Sequence, residues 1–165
     1  MSFLLQVLPD ILIICLYYIY IFKKYLKNNS HENMIRYTLL YLSIFLIILF
    51  TLHPFLLSIP NLFNIHDVSY NFEAFVDWKY NNGQYISETI FNILLFMPFG
   101  FTFYLATKKR PLFIILCGLL LSTIIEIIQP LIIIYRVGDI TDIINNTFGV
   151  IIGVTISYLL FKNKD

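Results

Sequence analysis

The sequence reads ETIFNILLFMPFG at residues 88–100, STIIEIIQP at 122–130 and RVGDITDIINNTFGVIIG at 136–153. Each of these three apolar segments carries polar side chains that a lipid-facing helix excludes. A carboxylate deep in a bilayer costs about 2.5 to 3.5 kcal/mol on insertion scales, and it usually faces a protein interior or a wet cavity. The three segments therefore predict a polar site at the place where they meet.

The composition is that of a membrane protein. Hydrophobic residues make up 59% of the 165 residues and charged residues only 13%, whereas a soluble domain is nearer half apolar and a quarter charged. The apolar excess falls into long runs, which predicts an all-α fold, a polytopic transmembrane helical bundle of about five spans. We expect a single domain over residues 1–165, with spans at 3–22, 37–59, 86–106, 112–134 and 142–161.

The same sequence gives no indication of a cleaved signal peptide, a disulfide, a metal or cofactor site, or a nucleic-acid partner. The first apolar run has no basic residue before it and no small-residue cleavage site, so we expect a span and not a removed signal peptide. Cys15 and Cys117 lie inside apolar runs, and the three histidines share no ligand spacing. We therefore expect no disulfide, no metal site and no cofactor. The net charge of +1 gives no indication of a nucleic-acid partner.

The lysines and arginines of the loops predict the orientation in the plasma membrane. Nine of the 11 fall on one side of the five spans, and only Lys79 and Arg136 fall on the other. Because cytoplasmic loops are rich in these residues, we expect the N-terminus outside and the C-terminus in the cytoplasm. The stretch 60–85 is then extracellular, and its many aromatic residues suggest that it lies on the membrane interface or covers the bundle.

Helical spacing places the polar residues of the three segments on one face of each helix. The candidate ligand-binding residues, all expected in the outer half of the membrane, are Glu88, Asn92, Ser122, Glu126, Gln129, Arg136, Asp139, Asp142 and Asn146. Three polar faces at one depth predict a shared, outward-facing pocket. Arg136 is the only cation near four carboxylates, and we expect it to pair with one or two of them. Gly149 and Gly153 form a small-residue face that lets a neighbouring helix approach closely.

A purely structural interpretation exists for most of these residues. Asp139 and Asp142 suit a helix start, where acidic side chains satisfy free N–H groups and the helix dipole. Asn92 and Asn146 suit interhelical hydrogen bonds, which are worth about 0.6 kcal/mol each. Glu126 fits neither role. It lies too far from the end of its helix to act as a cap, and too deep in the membrane to be at the membrane–water interface.

At these residues the sequence resembles the VanZ-like family of small membrane proteins. The matching elements run over residues 88–160 and are Asn92, Pro98-Phe99-Gly100, Ser122 with Glu126 and Gln129, and the series Asp139, Asp142, Asn146, Gly149 and Gly153. The resemblance implies a role in low-level resistance to teicoplanin, a lipoglycopeptide with an acyl tail.

We expect a non-catalytic protein whose pocket binds an amphiphile, either the lipoglycopeptide or a cell-envelope lipid, among the membrane lipids around it. One alternative is a membrane-embedded enzyme acting on an envelope lipid, with Glu126 and Asp142 or Asp139 as acid and base. The sequence lacks a histidine, serine or metal-ligand pattern that would favour it. Another alternative is a small transporter, which the apolar cytoplasmic halves and the lack of an internal repeat disfavour.

Overall fold

The computed structural model describes residues 3–26, 30–53, 59–60, 67–81 and 83–162. The α-helices in them are α1 (Phe3–Ile21), α2 (His31–Leu52), α3 (Val76–Tyr80), α4 (Tyr85–Thr107), α5 (Pro111–Ile132) and α6 (Ile140–Phe161). A π-helical stretch, Phe22–Leu26, continues α1. Two short strands, β1 (Ser69–Asn71) and β2 (Val137–Asp139), pair in parallel with Tyr70 opposite Gly138.

The helical bundle predicted from composition is confirmed. Within the described residues, α2, α4, α5 and α6 are long and apolar enough to cross a membrane. The first expected span forms α1, a helix of 19 residues, and its crossing of the membrane stays a prediction. The strands were not predicted, because three residues are too few to show the alternation that marks a strand.

Local chemistry explains where the helices begin and end. The Ser30 hydroxyl accepts a bond from the Asn33 N–H at 3.3 Å, so α2 begins six residues before the expected start at residue 37. It ends at Leu52, and the kink expected at Pro54 lies outside the described residues. Pro111 opens α5, where its missing N–H costs nothing. The helix α4 continues through Pro98, where its regularity was expected to break.

The closest helix pair is α4 and α6, which run parallel. A Cβ atom on Gly149 would collide with the carbonyl oxygen of Ile93, and one on Gly153 would collide with that of Met97. The predicted small-residue face is therefore confirmed, and its partner is α4. The buried apolar core around this contact includes Phe96, Phe99, Ile114, Ile125, Val150 and Val154.

Helices α2 and α5 run antiparallel to this pair. Ser43 of α2 shares a buried hydrogen bond of 3.0 Å with Thr102 of α4, and Gly118 of α5 lies against Val150 of α6. In the α1–α2 hairpin, the Tyr41 hydroxyl donates to the Ile14 carbonyl at 2.5 Å. As a result, α4 and α6 begin at the same end of the bundle at which α2 and α5 finish.

Candidate functional site

A cavity of about 630 Å³ opens at the end of the bundle where α4 and α6 begin, called here the cavity end. Eight of the nine predicted site residues line it: Glu88, Asn92, Glu126, Gln129, Arg136, Asp139, Asp142 and Asn146. The ninth, Ser122, is fully buried and accepts a hydrogen bond of 2.9 Å from the Asn146 amide. The predicted convergence of three polar helix faces is thus present in the structure.

The start of α6 is organised by Asp139. Its Oδ1 atom accepts from the Thr141 N–H at 2.6 Å and so caps the helix, as the structural interpretation of this residue expected. Its Oδ2 atom accepts from the side-chain amide of Asn71 at 3.0 Å. Its own backbone N–H donates to Glu126 Oε2 at 3.0 Å. Asp139 therefore connects β1 and the start of α6 to the buried carboxylate of α5.

We expect Asp139→Ala to lower the free energy of unfolding by about 1 kcal/mol, because the cap of α6 is lost. Asp139→Asn retains an oxygen that can cap the helix, so its loss should be smaller. Thermal denaturation of the purified protein in detergent would compare the two variants. Equal losses for alanine and asparagine would show that the charge of Asp139, and not its capping, stabilises the structure.

Glu126 is the deepest carboxylate of the cavity, and only 4% of its surface is exposed. Asp142 is half-buried on α6, where its Oδ1 atom accepts from the Asn92 amide of α4 at 2.7 Å. This bond is one of the interhelical contacts expected for Asn92. Both carboxylates face the cavity while also holding secondary elements together, so the structural and the ligand-binding interpretations coexist in the same residues.

Arg136 differs from the expectation. Its side chain is exposed at the cavity rim, and within the described residues no carboxylate lies within 4.0 Å of its guanidinium. The expected direct ion pair is therefore absent, because an exposed guanidinium remains hydrated and gains little from a fixed partner.

Residues 69–81 and 83–85, called here the aromatic cover, lie over part of the cavity. The sequence indicated the aromatic composition of this stretch but not its contacts. The Trp78 indole donates to the Thr89 hydroxyl at 3.1 Å, and the Asn145 amide donates to the same hydroxyl at 3.2 Å. The Phe75 N–H donates to the Thr141 hydroxyl at 2.9 Å. These bonds attach α3 and the preceding residue, Phe75, to the starts of α4 and α6. The expectation that this stretch covers the bundle is thus met in its described part.

A model of the VanZ/LLP1 family matches residues 11–161, nearly the whole chain. The chain belongs to this family. The match extends well beyond residues 88–160, where the sequence motifs lie, and includes α2 and most of α1. No curated protein and no solved structure matches the chain.

Some cavity residues of this VanZ/LLP1 member carried no signal in the sequence. Thr51 belongs to an apolar run, yet its carbonyl oxygen accepts from the Gln129 amide at 2.8 Å. Asp77 enters the lining with α3. Asn145 did carry a signal, because it flanks the polar stripe of α6, but it was not among the predicted site residues. Within the described residues, no three His, Cys, Asp or Glu side chains gather as a metal site would require.

Proposed function

We propose that this membrane protein binds an amphiphile in the cavity, with the outer leaflet as the source of the ligand. The ligand is a lipoglycopeptide of the teicoplanin type or a lipid of the cell envelope. Binding holds or diverts the molecule at the membrane surface, and low-level resistance to teicoplanin follows from that. No chemical step is needed for this activity.

The observation that carries the proposal is the two-sided lining of the cavity. Carboxylates and amides from α4, α5 and α6 form its inner wall, whereas the aromatic lining residues are Phe50, Phe75, Trp78, Tyr85, Phe91 and Tyr135. A polar head with an apolar tail satisfies both surfaces at once, as ligand sites that combine apolar walls with a few polar groups usually do. A purely polar solute would leave the aromatic surface without a partner.

The distribution of charge supports the outward orientation. Seven of the described lysines and arginines lie at the end opposite the cavity: Lys23, Lys24, Arg36, Lys108, Lys109, Arg110 and Lys162. Of the lysines and arginines in the described part of the chain, only Lys79 and Arg136 lie at the cavity end. By the positive-inside rule the cavity faces the outside, with the N-terminus outside and the C-terminus in the cytoplasm. An extracellular drug or an outer-leaflet lipid then reaches the cavity without crossing the membrane.

An enzyme acting on an envelope lipid is the second candidate, because Glu126 and Asp142 line the same cavity and could act as acid and base. Both carboxylates already accept hydrogen bonds that hold the fold together, which favours binding over catalysis. Lipid and wall-polymer analysis of expressing cells separates the two functions. New or altered envelope chemistry would favour the enzyme.

The direct test is expression in a sensitive Gram-positive host, with teicoplanin and vancomycin tested in parallel. We expect the protein to raise the inhibitory concentration of teicoplanin and to leave that of vancomycin, which lacks the acyl tail, near the value for the empty vector. Equal protection against both drugs would contradict recognition of an amphiphile. No protection against either, at confirmed abundance in the membrane, would contradict the lipoglycopeptide as ligand and leave the envelope lipid to be tested.

A further inference from the structure

Two buried oxygens at the cavity lack a hydrogen-bond partner within the described residues: Gln129 Oε1 and Asn146 Oδ1. Both side chains line the cavity, and only 1% and 2% of their surfaces are exposed. Gln129 Nε2 donates to the Thr51 carbonyl oxygen, which can only accept, so the orientation of this amide is determined. Buried acceptors are nearly always paired. The Asn146 amide bonds only to the Ser122 hydroxyl, which can donate or accept, so its orientation is not determined in this way. For Gln129 the missing partner is a donor, which a molecule in the cavity would supply.

The charged side chains that line the cavity indicate the charge of the head group that it binds. Five carboxylates line it: Asp77, Glu88, Glu126, Asp139 and Asp142. Arg136 is the only lysine or arginine among the described lining residues, and it makes no ion pair within 4.0 Å there. An anionic head would meet like charges at close range, whereas a cationic head would lower the cost of burying the carboxylates.

The aromatic cover also favours a positively charged head group. Trp78 and Tyr85 contact each other at the cavity, with ring centroids 4.9 Å apart. Aromatic faces attract ammonium groups, tryptophan most strongly. A primary ammonium also brings three N–H donors, whereas a quaternary ammonium brings none. Of these two groups, only the primary ammonium donates hydrogen bonds to the Gln129 oxygen and the carboxylates while it also contacts the rings.

We propose that the head of the bound amphiphile carries a primary ammonium group, held by the cavity carboxylates and by the free oxygen of Gln129. This inference rests on the proposed function and specifies the chemistry of its ligand. The ammonium belongs to an amphiphile and not to a free amine, because Phe50 and Phe91 add an apolar wall at the ends of α2 and α4. Their rings lie 5.7 Å apart, exposed on the side of the bundle.

The protein contains a single tryptophan, and Trp78 lines the cavity, so its emission reports occupancy. We would titrate the full chain in nanodiscs with dodecylamine, dodecyltrimethylammonium, dodecanol and butylamine, with empty nanodiscs as the blank. We expect a saturable change with dodecylamine. The quaternary amine and the alcohol should bind about tenfold more weakly or worse, because each lacks charge-assisted N–H donation. Butylamine should also bind weakly, because it has little tail.

The outcomes separate this inference from the proposed function. Equal binding of dodecylamine and dodecanol would overturn the ammonium head and leave amphiphile binding intact. Butylamine binding as tightly as dodecylamine would overturn the amphiphile and retain the ammonium. A saturable response to none of the four would overturn both proposals.

Variants test the same inference through the protein. Glu126→Gln should weaken dodecylamine binding about tenfold through the loss of one carboxylate partner. Glu88→Gln, at an exposed carboxylate, provides a second test if the buried change impairs folding. The matched control is Glu73→Gln, because Glu73 is exposed, lies outside the cavity lining and contacts Lys79 at 3.4 Å. If both cavity variants bind dodecylamine as tightly as the control, the carboxylates do not hold the ammonium and the inference is wrong.

Discussion

Gly153→Val is expected to prevent stable folding. A Cβ atom at this position would collide with the carbonyl oxygen of Met97 and crowd the Phe101 nitrogen, and both belong to the backbone of α4. Backbone atoms cannot move aside as a flexible side chain can, so α4 and α6 would have to separate. Overpacking usually costs about 1–3 kcal/mol, and we expect a loss at or above the upper end of that range. The cavity would open with it, since α4 and α6 form two of its walls.

Thr155→Val is the matched control for this change, because Thr155 lies on the same helix, two residues away, with an exposed side chain. Size-exclusion chromatography and thermal denaturation in detergent would measure both variants. The control should match the wild type, whereas Gly153→Val should give little monodisperse protein or a much lower melting temperature. Identical behaviour of the two variants would contradict the close α4–α6 contact.

Glu126→Gln is expected to abolish protection against teicoplanin while the protein remains folded. The glutamine has nearly the same shape, and its side-chain oxygen can still accept from the Asp139 N–H, as Glu126 Oε2 does at 3.0 Å. The change therefore removes the charge of the deepest cavity carboxylate and little else. We expect the inhibitory concentration of teicoplanin to fall to that of cells with the empty vector.

The comparison requires equal amounts of wild-type and variant protein in the membrane. Glu73→Gln again serves as the control, since it removes a carboxylate from the cover without touching the cavity lining. It should protect as well as the wild type. Full protection by Glu126→Gln would mean that this carboxylate is structural only, and a site built around it would then be wrong.

The helices and the composition of the site could be predicted because both follow from periodicity within one helix. Spacing alone places Glu126 and Gln129 on one face of α5, and Asp142 and Asn146 on one face of α6. The burial cost of a carboxylate in an apolar run then indicates that these faces point inward. The structure brings both faces to one cavity.

The remaining features depend on contacts between distant parts of the chain, which periodicity does not encode. The pairing of β1 with β2 and the bond from Trp78 to Thr89 bring the aromatic cover over the cavity. Ser122 has the spacing of a site residue, but it lies one turn before Glu126 in α5, outside the cavity lining, where it accepts a bond from the Asn146 amide. The exposure of Arg136 likewise depends on how the α5–β2 connection is placed.

The most direct test of the central claim, that the cavity selects an amphiphile, is photocrosslinking in the living Gram-positive host. Tyr135 is replaced by benzoylphenylalanine, because it lines the cavity and 98% of its surface is exposed. The matched control carries the same group at Leu159, which is exposed near the opposite end of α6. Adducts are identified by mass spectrometry with and without teicoplanin. We predict that position 135 captures an envelope amphiphile or the drug, which position 159 does not capture. The same bulk phospholipids at both positions would contradict the account.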